Sequence, residues 1–249
     1  MEVFVLGAGT VIPAENRSHA GYLVRGAALD ILFDIGAGTI SRLFAIGKSY
    51  RDIDLIVISH LHADHVLDLI SLLQANNATP GWARETRLQI LGCKGLKDFV
   101  QNILSLFDGT APEHYLLEII ELEVGRHDFP DFILETAKTG HTSNSLAFRL
   151  EMENRIIVYT GDATERDELV FLSRQADVLI CECSFLAGFE TTDHLTADQC
   201  GRLAQRAGVQ HLVLTHLYPN TTSVEAAAQA NSQFDGIVTV ARDGSTLDV

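Results

Sequence analysis

The chain has 249 residues, which suits one large domain, and an apolar content of 47% is ample for a substantial core. No apolar run reaches the ~18 residues that would span a bilayer, so no membrane association is expected. A net charge of −15, from 18 basic and 33 acidic residues with no basic run, disfavours nucleic acid, which is gripped by clustered Lys and Arg.

In chain order, the opening Met1-Glu2-Val3-Phe4-Val5-Leu6-Gly7 lacks the basic segment of a signal peptide and reads as a first strand, Val3 to Leu6. A cytoplasmic protein is the expectation. Strands follow at Gly21 to Val24 and Ala28 to Phe33, then a helix around Gly38 to Ile46 and the strand Leu55 to Ser59. Ala63 to Gln74 carries apolar residues at helical spacing. Leu88 to Leu91 is a strand, and Leu96 to Phe107 an amphipathic helix with Phe99, Ile103, Leu106 and Phe107 on one face. Further strands are expected at Ile119 to Leu122, Ile133 to Ala137, Ser145 to Leu150 and Ile156 to Thr160. A helix at Glu165 to Gln175 leads to the strand Val178 to Cys183. Helix Thr196 to Ala207, with Thr196 as its cap, strand Leu212 to Thr215, helix Val224 to Ser232 and strand Ile237 to Ala241 complete the series. Strands this apolar have no solvated face, which predicts an α/β arrangement of two sheets packed together with helices outside, over residues 1–249 as one domain.

The four cysteines, Cys93, Cys181, Cys183 and Cys200, show neither disulfide-framework nor zinc-knuckle spacing and are expected to be buried free thiols. The chemistry concentrates elsewhere. The strand Leu55 to Ser59 ends abruptly in His60-Leu61-His62-Ala63-Asp64-His65. Imidazole and carboxylate are preferred ligands of divalent metals of intermediate softness, zinc above all, with manganese and iron also accepted. On an extended backbone His60 and His62 share one face, and Asp64 and His65 turn to another. Four more candidates each sit at or just past the end of an apolar strand: His141, Asp162, Glu182 and His216. Polar groups at strand ends converge on one edge of a sheet while the strands stay buried.

A two-metal site can be assembled from these residues. His60, His62 and His141 would hold one ion; Asp64, His65 and His216 the other; Asp162 would offer an oxygen to each. Two such ions lower the pKa of a shared water towards neutrality, and at ~3.5–4 Å separation they clamp attacking and leaving oxygens.

His60-x-His62-x-Asp64-His65 with the later His141, Asp162 and His216 resembles the metallo-β-lactamase fold superfamily. Gly140-His141-Thr142, Gly161-Asp162, Cys181-Glu182, His194-Leu195-Thr196 and Leu214-Thr215-His216 are similar to its ribonuclease Z-like branch, as are Leu6-Gly7-Ala8-Gly9-Thr10, Pro13, Arg17 and Phe33-Asp34-Ile35-Gly36. The resemblance implies a four-layer αββα sandwich, metals at one edge, and a homodimer, for which the apolar helix Leu96 to Phe107 is a candidate interface. It also implies that His194, backed by Glu182 and Asp64, protonates the leaving oxygen, with an imidazole near its ordinary pKa suited to that task. Where ribonuclease Z carries a basic arm, residues 76–140 hold six basic residues against ten acidic ones, and Tyr218-Pro219 departs from the usual sequence.

The expected activity is therefore hydrolysis of a small phosphodiester, such as a cyclic nucleotide. Transfer RNA 3′ processing is the first alternative. Hydrolysis of a lactone, thioester or sulfate ester is the second, and a non-catalytic metal sensor the third. Asp34 is expected to orient a ligand loop rather than bind metal. His19, His114, His127 and His211 read as structural, with His19 the one whose loop the resemblance turns towards the metals. Trp82 is either a lid residue or an interface anchor.

Overall fold

The computed structural model describes all 249 residues. Its first sheet contains β1 (Glu2–Gly7), β2 (Gly21–Arg25), β3 (Asp30–Phe33), β4 (Leu55–Ile58), β5 (Leu88–Gly92), β6 (Leu117–Glu121) and, at its edge beside β1, β14 (Thr246–Asp248). The second contains β7 (Gly125–Asp128), β8 (Ile133–Lys138), β9 (Leu146–Met152), β10 (Arg155–Tyr159), β11 (Val178–Glu182), β12 (His211–Thr215) and β13 (Ile237–Val240). Each sheet is half antiparallel and half parallel: β3 to β6 run parallel in one, β10 to β13 in the other.

Period-two alternation explains how the sheets stack. Val3, Val5, Leu55 and Val57 face the other sheet, where they meet Phe148, Leu150, Ile157 and Val213. Phe4, Leu6, Ile56 and Ile58 point the opposite way, beneath α3 (Asp68–Ala78) and α4 (Leu96–Leu106). On the far side, α5 (Asp167–Leu172), α6 (Ala197–Ala207) and α7 (Ser223–Asn231) cover the second sheet through Leu169, Leu203 and Ala226, which pack with Val158, Leu179 and Leu214. The αββα sandwich is thus four layers and three apolar interfaces, and strands apolar on both faces are what it requires. No helix is long and apolar enough to cross a membrane.

Several element boundaries differ from expectation. The segment read as one helix at Gly38 to Ile46 is a short α1 (Thr39–Arg42) running into a 3₁₀ turn, Leu43–Ile46. Ala63 to Gln74 divides into α2 (Ala63–Val66) and α3. In α4 the inward residues are Leu96, Val100 and Ile103, whereas Leu106 is 76% exposed, so the expected apolar face is rotated towards the sheet. The strands β7 and β14 carry no apolar pattern and were not expected. All four cysteines are unpaired and buried.

Candidate active site

Every candidate ligand leaves its element at the same edge of the sandwich. The first sheet contributes His60 and His62, just past β4, and Asp64 and His65 in α2. His62 is still extended (φ −70°, ψ 150°) where α2 begins, so the helical turn swings Asp64 and His65 away from the His60 and His62 face. From the second sheet come His141 beyond β8, Asp162 beyond β10, Glu182 at the end of β11 and His216 beyond β12.

These side chains form two clusters joined by one carboxylate. Asp162 Oδ2 lies 3.6 Å from His60 Nε2 and 3.5 Å from His141 Nε2, and His62 Nδ1 is 3.0 Å from His141 Nε2. Its other oxygen, Oδ1, lies 3.3 Å from both His65 Nε2 and His216 Nε2. Asp64 Oδ2 completes the second group, 3.2 Å from His216 Nε2 and 3.7 Å from His65 Nε2. The donor atoms of His60, His62, His141 and Asp162 fall within 4.8 Å of one another, as do those of Asp64, His65 and His216.

The donors fit a pair of divalent ions. Nitrogen and oxygen ligands ~2.0–2.2 Å from a tetrahedral ion stand roughly 3.4 Å from each other, close to the spacings found here. His60 Nε2, His65 Nε2 and Asp162 Oδ1 are fully buried and make no hydrogen bond. Buried polar atoms seldom lack a partner, and here they converge on two points.

The surrounding groups fix which nitrogen each imidazole offers. The Ser59 hydroxyl donates to Asp34 Oδ2 (2.7 Å), so it accepts from His60 Nδ1 (3.0 Å) and leaves His60 Nε2 bare. His65 Nδ1 donates to Asp34 Oδ2 at 2.6 Å, and His141 Nδ1 to the Asp193 carbonyl at 2.8 Å. Asp34 also accepts from the Ser59 amide (2.7 Å) and the Tyr159 hydroxyl (2.6 Å). It is therefore an orienting residue, as its sequence position suggested. Its φ of +54°, like the +55° of His216, is a strained conformation held by the contacts around it.

Glu182 accepts from four donors. Oε1 takes the Ala163 amide (3.0 Å) and His194 Nδ1 (2.9 Å); Oε2 takes the amide and hydroxyl of Ser184 (3.1 and 2.8 Å). It thus holds His194 and the backbone beside Asp162 in one frame. Asp64, expected behind His194 as well, instead hydrogen-bonds His216.

Charge is distributed accordingly. Burial drives His60 down to about 2, helped by the charges of His65 and His141 against the pull of Asp162. Burial would raise the Asp64 carboxyl, but the His216 hydrogen bond and the charge of His65 hold it below the usual range. Asp162 is likewise held well below, the charges of His216 and His65 overcoming burial. His194 departs from the expectation of an ordinary imidazole: burial lowers it, yet the hydrogen bond and charge of Glu182 carry it up to about 9. Its proton is therefore retained at neutral pH, as a general acid needs.

Sequence reasoning missed Ser59, Tyr159, Ser184 and Asp193, whose only signal is that each lies within three residues of a candidate site residue. Asp193 brings a carboxylate within reach of His141 and His194. A cavity of about 630 Å³ opens beside His194, lined by Phe185, Phe189, Glu190 and Tyr218 among others. A slightly larger one, about 670 Å³, lies between the β7–β8 and β9–β10 turns and touches none of these ligands. Trp82 stands before β5, edge-on to Tyr50 at 5.9 Å and under Arg51, at the end of the strands opposite the ligands. It is no lid over them.

Residues 15–208 match the family model described as the metallo-beta-lactamase superfamily. The probable metallo-hydrolase YhfI of Bacillus subtilis is 29% identical over 98% of both chains, and its crystal structure superposes with a TM-score of 0.87 over 99% of this chain and 98% of that one. A ribonuclease Z from Thermococcus sibiricus is 28% identical, over 93% of this chain and 90% of that protein. The short form of human tRNase Z, 24% identical, shares the fold with a TM-score of 0.79 over 100% of this chain and 99% of that one.

Proposed function

The chain belongs to the metallo-beta-lactamase superfamily of metal-dependent hydrolases, and from that premise we propose that it is a two-zinc phosphodiesterase acting on a small phosphodiester. The observation that carries this reading is Asp162, with one oxygen turned to His60 and His141 and the other to His65 and His216. His60, His62, His141 and Asp162 would hold the first ion, and Asp64, His65, His216 and Asp162 the second. Manganese or iron would suit the same donors. When bound, the ions acidify a shared water and neutralise charge on the phosphate oxygens.

The residues of the chain do the rest. Asp34 and Ser59 keep the imidazoles aimed inwards. Glu182 keeps His194 protonated and pointed at the departing oxygen. As the oxygen of water bonds to phosphorus, the ester bond opposite breaks and His194 gives its proton to the alcohol that leaves.

A small substrate is favoured because residues 76–140 build β5, α4, β6, β7 and β8 into the sandwich and carry an acidic excess. The ribonuclease Z relatives favour a second reading, cleavage of precursor tRNA, which predicts steep salt dependence. Four free, buried thiols support a reducing, cytoplasmic setting. Incubation with bis(p-nitrophenyl) phosphate tests the first reading. Turnover abolished by a chelator and restored by zinc or manganese is expected, and its absence with both metals overturns the proposal.

A further inference from the structure

The cavity beside His194 has a lining unlike that of a phosphate-rich substrate's channel. Phe185 and Phe189 stack with centroids 3.9 Å apart and planes 13° apart, and Tyr218 stands 4.9 Å from Phe185 on the way back to the ligands. Tyr218 is in turn edge-on to His194 at 5.7 Å. A row of aromatic side chains thus begins at His194 and ends on Phe189, a residue 48% exposed. Beyond His194 the charged lining is acidic: Glu190 and Asp193 line the cavity, with no Lys or Arg among its residues.

We propose that this cavity receives the departing arm of the substrate, and that the arm carries a flat, uncharged ring system such as an aryl group or a nucleobase. This rests on the phosphodiesterase reading above. The arm whose oxygen takes the proton of His194 must extend from His194, and the cavity opens there. Every base or aryl ring has a π-face that stacks on exposed aromatic side chains, whatever its substituents. An arm bearing a second phosphate or a carboxylate would instead meet Glu190 and Asp193, while the one cationic side chain of the lining, His194, is already paired with Glu182. Tyr218, where the sequence departs from its family's pattern, is the ring that links the platform to the ligands.

The test compares two diesters on the metal-loaded enzyme, methyl p-nitrophenyl phosphate and the same ester with one carboxylate added to the ring. The carboxylated ester should show kcat/KM lower by about tenfold, or ~1.4 kcal/mol. Phe189→Ala should lower kcat/KM for the neutral ester by roughly five- to tenfold, through KM, with metal content unchanged. Glu190→Lys should narrow the gap between the two esters. Saturation-transfer NMR with p-nitrophenol on metal-free protein reads the ring contact without turnover, and its signal should vanish in Phe189→Ala. Equal rates on the two esters, together with an indifferent Phe189→Ala, overturn the subsite and leave the phosphodiesterase standing. If neither ester is turned over, the phosphodiesterase reading falls and the subsite with it.

Discussion

At the scale of single residues, the proposed mechanism gives proton transfer to His194 and Glu182 and metal holding to other side chains. His194 touches the rim of the ligand clusters, but Glu182 fixes its Nδ1, which turns Nε2 towards the space where an ester would lie. His194→Ala should therefore cost on the order of 10²–10⁴ in kcat, the usual worth of a positioned acid, while bound metal per chain stays constant. Loss of metal together with activity would instead make His194 a ligand. Glu182 adds a pH signature with a definite sign. It raises His194 to about 9, so the acid is protonated through neutrality and activity should fall as pH climbs through that value. Glu182→Gln removes the pull, and the basic limb of the pH–rate profile should move to lower pH, towards an ordinary imidazole. A limb that stays in place would assign it to another group.

At the scale of elements, the strand ends aim the ligands, and glycines let the loops come close enough. Gly161, between β10 and Asp162, has φ +56°, and a Cβ there would lie 2.7 Å from Ser59 Cβ and 2.9 Å from Ser59 Oγ. Gly161→Ala should thus displace Asp162 and Ser59 together. Because Asp162 faces both clusters, both metal occupancies should drop, which metal analysis after dialysis would read directly. Loss confined to one ion would refute a shared role. The same strand-end logic explains what could be read without coordinates. His60 to His65, Asp162 and His216 were legible because each follows a run of apolar residues, and His141 because it follows a strand, β8, whose residues Leu134 and Ala137 are buried. The roles of His194 and Glu182 came only from family resemblance, since a histidine in a loop has no periodicity to mark it. Gly125–Asp128 forms β7 with alternate residues half-exposed and no apolar pattern, so it was invisible. Helix α2 was merged with α3 because apolar spacing runs through Leu67, whose backbone at the junction is itself helical. Phe185, Phe189 and Tyr218 were missed as a group because they meet only when two loops are brought side by side.

At the scale of the whole molecule, the ligand clusters lie across the seam between the sheets. His60, His62, Asp64 and His65 belong to the first half of the sandwich, and His141, Asp162 and His216 to the second. The apolar interface between the sheets is fastened near this edge by side-chain hydrogen bonds, among them Tyr22 to Thr215 at 2.6 Å and Tyr159 to Asp34 at 2.6 Å. Ions held by both halves would add a further tie, one absent from the unfolded chain, so binding is linked to folding. At a free metal concentration of 100 Kd the linkage is worth about 2.7 kcal/mol. For a chain of this length, each kcal/mol shifts the midpoint by about 2–4 °C. Zinc added to chelator-treated protein should therefore raise Tm by roughly 5–11 °C for each ion held; Asp162→Ala should abolish most of the rise and His65→Ala the share of the second ion. Asp162→Ala should abolish more, since it loses a donor to both ions, whereas His65→Ala leaves the His60, His62 and His141 cluster intact. A scan in which zinc and manganese leave the native midpoint unmoved would mean that the two halves are held by their apolar interface alone, and that the converging imidazoles bind no ion tightly.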